Sequence, residues 1–190
     1  SRAVRLANPK SITIVADVAI PKLNGRGKNP KGSFDVITID TWVKFADPET
    51  GKHPIMNEDH WDEGDLHYQL YEGSFGLSVN PNDFTLGSIT DSSTFFPQRS
   101  TWYYISTVYS STDGYVKLYV DQQLRNTITS GTTTTYNGGG GTVSTSFVPA
   151  TLDSPRIGSW VDPNGEVTIA STNSENPMLF GNLMALGCGG

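Results

Sequence analysis

Between His53 and His67 the chain concentrates its chemically active side chains: His53, Glu58, Asp59, His60, Asp62, Glu63, Asp65 and His67, with Trp61 among them. Five of these, Glu58, Asp59, Asp62, Glu63 and Asp65, are carboxylates within eight residues. Carboxylates so crowded repel one another unless they are solvated or hold a cation, and a hard ion wanting about six to eight oxygens makes calcium the candidate cofactor. The spacing matches no EF-hand or other fixed template, so an acidic, solvated loop stands as the alternative. Zinc fits less well: His60 and His67 stand seven apart on a loop entering a strand, without the closely spaced His or Cys pairs of structural zinc sites. Asp162-Pro163-Asn164-Gly165-Glu166 also carries oxygens, but Pro sets φ and Asn-Gly takes left-handed angles, so it reads above all as a turn.

Hydrolysis of a glycosidic bond needs two carboxylates facing each other across a cleft at about 5 to 10 Å. Glu58-Asp59 and Asp62-Glu63 are adjacent pairs, and neighbours on an extended chain point to opposite faces. No Gly-x-Ser-x-Gly elbow or phosphate-binding loop is present, and spacing singles out no Ser/His/Asp set. Binding of a sugar asks for something different: exposed aromatic rings for the apolar C–H face of the sugar, beside polar groups for its hydroxyls. Trp61, Tyr71, Tyr104, Tyr136 and Trp160 are the candidates for that role. Trp42 and Trp102 sit within strands and are expected to pack as core.

These side chains would be positioned by β-strands. Thr101 to Tyr109 places Trp102, Tyr104, Ser106 and Val108 on one face and Tyr103, Ile105, Thr107 and Tyr109 on the other. After an Asp113-Gly114 turn, Val116, Leu118 and Val120 share one apolar face, with Lys117 and Tyr119 opposite. Ser11 to Ile20 alternates Ile12, Ile14, Ala16, Val18 and Ile20 against Thr13 and Asp17, and stops at Pro21. Ile37, Ile39, Thr41, Val43 and Phe45 alternate in the same way, which puts Trp42 on the opposite side of that sheet. With further runs at 66 to 71 and 75 to 79 and no helical period, the pattern predicts two packed antiparallel sheets in one domain over residues 1–190. Thr127 to Ser146, with its Thr132 to Thr135 and Gly138 to Gly141 runs, reads as a low-complexity surface loop. Lys22 to Lys31 is a Gly/Pro/Asn-rich basic loop.

The Trp102 hairpin, ending in Val116-Lys117-Leu118-Tyr119-Val120-Asp121, resembles the central hairpin of laminin-G-like domains of the concanavalin A-like lectin/glucanase superfamily. Other pieces follow in that family's order. Ile37 to Lys44 resembles its early "f-T-i-x-x-W-V-k" strand, and Leu66 to Leu70 with Phe75 to Val79 its next two. Pro155-Arg156-Ile157-Gly158 resembles "l-r-I-G", and Leu179 to Leu186 the closing strand. Gln122-Gln123 replaces the usual Gly after Val-Asp, and Asn182 to Ala185 lacks the closing strand's acidic pair. The resemblance implies a jelly-roll β-sandwich, a rim calcium, an extracellular or secreted setting, and recognition or adhesion in place of catalysis.

Composition narrows the partners. A formal net charge of −6 with thirteen Lys and Arg residues argues against nucleic acid or an anionic membrane surface. No run approaches the roughly twenty apolar residues that membrane insertion by a helix needs. The chain begins at Ser1 without a methionine or a leader-like apolar run, and is expected to be processed or excised from something longer. Cys188 is the single cysteine and could be inert or pair elsewhere; no Asn-x-Ser/Thr sequon occurs. Three functions fit: a non-catalytic module binding a glycan or an extracellular protein surface, a self-associating subunit of an extracellular assembly, and a divergent polysaccharide-active enzyme using the Glu58 to Asp65 carboxylates.

Overall fold

The computed structural model describes the backbone of residues 4–6, 32–58, 61–133, 142–152, 156–157, 159–161, 167–169 and 178–189, and the side chains of 33–58, 61–133 and 142–152. The strands are β1 (Val4–Leu6), β2 (Gly32–Phe34), β3 (Val36–Phe45), β4 (Lys52–Asn57), β5 (Leu66–Tyr71) and β6 (Ser74–Val79). They continue with β7 (Asn82–Ser88), β8 (Trp102–Ser110), β9 (Tyr115–Val120), β10 (Gln123–Ile128), β11 (Gly131–Thr133) and β12 (Thr142–Ser144). β13 (Ala150–Leu152), β14 (Arg156–Ile157), β15 (Ser159–Val161), β16 (Val167–Ile169) and β17 (Met178–Gly189) complete them. Among the described residues there is no helix, and so none long and apolar enough to cross a membrane.

A six-stranded sheet in the order β1-β17-β3-β8-β9-β10 faces a seven-stranded sheet in the order β12-β11-β7-β6-β5-β4-β14, in a jelly-roll β-sandwich. The alternating runs explain the packing. Ile37, Ile39, Val43 and Phe45 of β3, Ile105 and Tyr109 of β8, and Val116, Leu118 and Val120 of β9 face inward from the first sheet. Leu66, Tyr68 and Leu70 of β5, Phe75, Leu77 and Val79 of β6, and Phe84 and Leu86 of β7 meet them from the second. The Tyr68 hydroxyl spans the interior to the Thr107 hydroxyl at 2.8 Å, so two polar groups in the core satisfy each other. Burial holds the Tyr68 phenol well above its ordinary pKa, while the bond to Thr107 acts in the opposite direction.

Three details differ from the expectations. Trp42 and Trp102 are 39% and 37% exposed, on the outer face of the six-stranded sheet, because their neighbours at odd positions in β3 and β8 take the core. The ends of the Thr/Gly-rich stretch are strands: β11 pairs with β7 and β12, extending the seven-stranded sheet. The turn after Val120 forms without glycine, since Asp121 and Gln122 both take positive φ (50° and 67°) and the Asp121 carboxylate accepts the Tyr104 amide at 3.0 Å. The expected strand at Ser11 to Ile20 and the Lys22 to Lys31 loop lie outside the described residues.

The β8–β9 hairpin keeps the expected faces, and it pairs Ile105 with Val120 and Tyr109 with Val116. Leu118 is completely buried and Lys117 is not. Leu118→Ala should therefore cost about 2 to 5 kcal/mol and Lys117→Ala under about 0.5 kcal/mol. Thermal melts of the two variants check this, and equal melting temperatures would contradict the register.

Candidate functional site

The same alternation that buries β5, β6 and β7 on one side sets a grid of small polar groups on the other. Strand pairing aligns it in rows: His67, Ser78 and Asp83 in the first, Gln69, Gly76 and Thr85 in the second, Tyr71 and Ser74 in the third. Gly76 occupies the centre. With no side chain there, the middle of the grid sinks into a cavity of about 340 Å³ lined by Trp61, Gln69, Tyr71, Ser74, Gly76, Ser78, Asp83 and Thr85, with Leu77 and Phe84 beneath.

Each wall is held in place. Trp61 stacks on His67 with ring centroids 4.3 Å apart and planes 23° from parallel. At the other end Tyr71 is 45% exposed, with the Lys52 ammonium 5.1 Å from its ring centroid. Ser78 Oγ donates to Asp83 Oδ1. Asn57, fully buried, accepts the Tyr68 amide at 3.0 Å and donates through Nδ2 to Gln69 Oε1 at 3.4 Å. The Glu72-Gly73 turn joining β5 to β6 has two positive φ angles, 44° and 77°, and a Cβ on Gly73 would lie 2.5 Å from Ile89 Cγ2. Glycine is required there by both conformation and space.

The carboxylate-rich segment is the mount for Trp61. Asp62 donates its amide to Asp65 Oδ2 at 2.7 Å, and the Asp65 amide returns to the Asp62 carbonyl at 3.0 Å, closing a turn. Asn80, in the turn between β6 and β7, grips that loop from below. Its Nδ2 donates to the carbonyls of Trp61 and Asp62, its amide donates to the Asp65 carbonyl at 3.0 Å, and its own carbonyl accepts the Gly64 amide at 2.8 Å.

The structure thus distributes the expected site residues in several places. Trp61 and Tyr71 meet in one groove. Tyr104 lies on the outer face of the opposite sheet, its ring 5.6 Å from that of Trp42, and its hydroxyl is pushed to higher pKa by partial burial and by the Asp40 carboxylate. Tyr136, Asp59 and the Asp162 to Glu166 segment are outside the described residues, although the strands flanking that segment, β15 and β16, pair antiparallel. Trp160 is in β15 opposite Thr168. Of the carboxylates, Glu58 is 1% exposed, Asp65 serves its own loop, and Asp62 and Glu63 point to solvent. Among the described residues, no three of His, Cys, Asp or Glu come together to hold a metal ion.

His53, at the start of the same segment, is buried edge-on against Phe45 with Nε2 2.9 Å from the Thr50 carbonyl, and burial lowers its pKa below the ordinary value. It supports the core and is not part of the groove. Gln69, Ser74, Gly76, Ser78, Asp83 and Thr85 were not among the expected site residues. Their signal is the alternation of Ser74, Gly76 and Ser78 against Phe75, Leu77 and Val79, which marks an outer strand face of small groups.

No protein-family model matches the chain, and no curated protein matches it. Among solved structures it resembles the botulinum neurotoxin serotype D binding domain at 10% identity and a TM-score of 0.46, over 82% of this chain and 33% of that one. A candidate carbohydrate binding protein from Bacteroides ovatus ATCC 8483 matches at 16% identity and a TM-score of 0.48, over 80% of this chain and 38% of that one. The chain spans between 33% and 38% of the length of these two structures.

Asn80→Ala removes the donor to two carbonyls of the Trp61 loop and should cost about 1 to 3 kcal/mol. The indole should also become more accessible. Acrylamide quenching should rise in Asn80→Ala and not in the same variant carrying Trp61→Phe, and unchanged quenching would show that Asn80 does not hold the ring.

Proposed function

We propose that this chain is a non-catalytic recognition module that binds glycans outside the cell through the groove over Gly76. The observation that carries the reading is the make-up of that groove: two aromatic rings at its ends and, between them, the amide of Gln69, the hydroxyls of Ser74, Ser78 and Thr85, and the Asp83 carboxylate. Hydroxyls and amides both donate and accept, as sugar hydroxyls do, while Trp61 and Tyr71 offer surfaces to apolar sugar faces. The laminin-G-like resemblance of the Trp102 hairpin supports a recognition role for the same chain.

Hydrolysis is the weaker reading of the same groove. A glycosidase sets two carboxylates across the scissile bond, and among the described residues that line the groove Asp83 is the one carboxylate. A protein partner is favoured by a separate feature, the half-exposed Trp42 and Trp102 on the outer face of the six-stranded sheet. Such aromatic residues are enriched at protein interfaces.

A glycan array followed by calorimetry tests the groove. Gly76 has no positive φ, and a Cβ there would lie 3.3 Å from the Phe84 backbone carbonyl, a tight approach that the neighbouring strand must relax by a fraction of an ångström, so Gly76→Val fills the groove at some cost in stability. The variant should stay cooperatively folded, melting somewhat below the wild-type temperature, and lose binding. Trp61→Ala should weaken affinity by about ten- to a hundredfold, equivalent to roughly 1.4 to 2.8 kcal/mol. Retained affinity in both variants would move the ligand elsewhere. Calcium is tested in the same assay with chelator: groove binding should persist without it, and loss on chelation would bring Asp59, Asp62 and Glu63 in as ligands.

A further inference from the structure

Two of the polar groups in the groove are committed in opposite senses. Asn57 is fully buried, and its Oδ1 accepts the Tyr68 amide at 3.0 Å. That bond fixes which way round the Asn57 amide lies, so Nδ2 is the atom turned to Gln69, whose Oε1 accepts it at 3.4 Å. The Gln69 carbonyl is thus turned back toward β4. What Gln69 presents to the groove is Nε2, with two donors and no acceptor, for which no partner is present among the described residues. Ser78 is the reverse case. Its one O–H goes to Asp83 Oδ1, which leaves the Oγ lone pairs as what it offers a ligand.

Register sets this donor and this acceptor on a diagonal. Gln69 pairs with Gly76 and His67 with Ser78, so Gln69 and Ser78 are rooted about 7 to 8 Å apart, obliquely across the β5–β6 pair. The other diagonal of the same square runs from His67, with Trp61 stacked on it, to Gly76, which has no side chain. A single amide group matches both diagonals. Resonance keeps it planar and trans, with C=O and N–H pointing in opposite directions and its two carbon substituents at the ends of the crossing axis. With hydrogen bonds of about 2.9 Å, a carbonyl accepting from Gln69 Nε2 and an N–H donating to Ser78 Oγ occupy the first diagonal. The second then places the ring that carries the amide on Trp61 and the acyl methyl over bare Gly76. The reverse orientation sets donor against donor at Gln69 and acceptor against acceptor at Ser78. A hydroxyl in the same place brings no fixed donor–acceptor direction and no methyl for the space over Gly76.

Resting on the glycan reading of this groove, we propose that the sugar it recognises carries an acetamido group. The sugar ring lies on Trp61, the N-acetyl group crosses Gly76, the acetyl carbonyl accepts from Gln69 and the amide N–H donates to Ser78. Asn57 is a positioning residue: it sets Gln69 as a donor from behind, without touching the sugar.

The test is an array of neutral glycans in which each structure is present with its acetamido groups and with hydroxyls in their place, followed by calorimetry on the best-binding pair. The N-acetylated member should bind at least about tenfold more tightly than its hydroxyl counterpart. Gln69→Glu keeps the size of the side chain and still accepts from Asn57 Nδ2, but it meets the acetyl carbonyl with a second acceptor. Its affinity for the N-acetylated member should fall until the two members bind within about threefold of each other. The readout is a ratio between two ligands on one protein, so a general loss of stability does not imitate it, and the wild-type ratio stands by itself should the variant fold poorly. Equal affinities for the pair in the wild type, or an undiminished ratio in folded Gln69→Glu, would overturn the proposal and leave the groove as a glycan site of another kind. Absence of binding by every glycan on the array would overturn the glycan reading itself.

Discussion

The structure depends on one constraint: β5, β6 and β7, adjacent in the sheet, all commit their large apolar residues to the same side. Leu66, Tyr68, Leu70, Phe75, Leu77, Val79, Phe84 and Leu86 are between 0% and 2% exposed, and their burial closes the interior against Ile105, Tyr109 and Leu118. Because side chains alternate strictly along a strand, that commitment leaves the intervening positions no choice of face. Gln69, Ser74, Gly76, Ser78, Asp83 and Thr85 are outside as a consequence of what is inside. A one-residue slip would put Gln69 of β5, Ser78 of β6 or Asp83 of β7 in the core and remove the groove together with the fold.

A groove made by alternation alone would be shallow and open, and the loops at its ends give it walls. The Asp62 to Asp65 turn and the Asn80 clamp place Trp61 over His67, and the Glu72-Gly73 hairpin ends β5 at Tyr71. The dense carboxylates thus have a structural role at Asp65, which caps its own turn, and a solvated one at Asp62 and Glu63. On the other side of the sandwich Trp42, Trp102 and Tyr104 form a separate aromatic face, tied to the interior through the strands that carry Ile105 and Thr107.

Much of this was legible in the residues. The alternation in Val36 to Phe45, Leu66 to Tyr71, Ser74 to Val79 and the Trp102 hairpin carries a period of two that no helix shares, and the observed strands follow it closely. Trp61 and Tyr71 were readable as candidate rings for a sugar face; Tyr71 is exposed, and Trp61 is half-buried against His67. The polar half of the groove was not, because serine, threonine and glutamine on an outer strand face are ordinary solvated residues until the pairing register sets them side by side. Trp42 and Trp102 misled for the opposite reason: ring size argues for burial, but register decides it, and both fall out of phase with their buried neighbours. Composition hid β11 and β12, since runs of threonine and glycine look like loop until an exposed edge at β7 offers them a partner.

The central claim is that ligand binds on the outer face of β5 to β7. The most direct measurement is an amide and side-chain NMR titration with a neutral oligosaccharide that scores on an array. Shifts concentrated at Gly76, Ser78 and Thr85, at the Gln69 side-chain amide and at the Trp61 indole are the predicted result. Shifts concentrated instead on Trp42, Trp102 and Tyr104 across the sandwich, with the Gly76 neighbourhood unmoved, would contradict it.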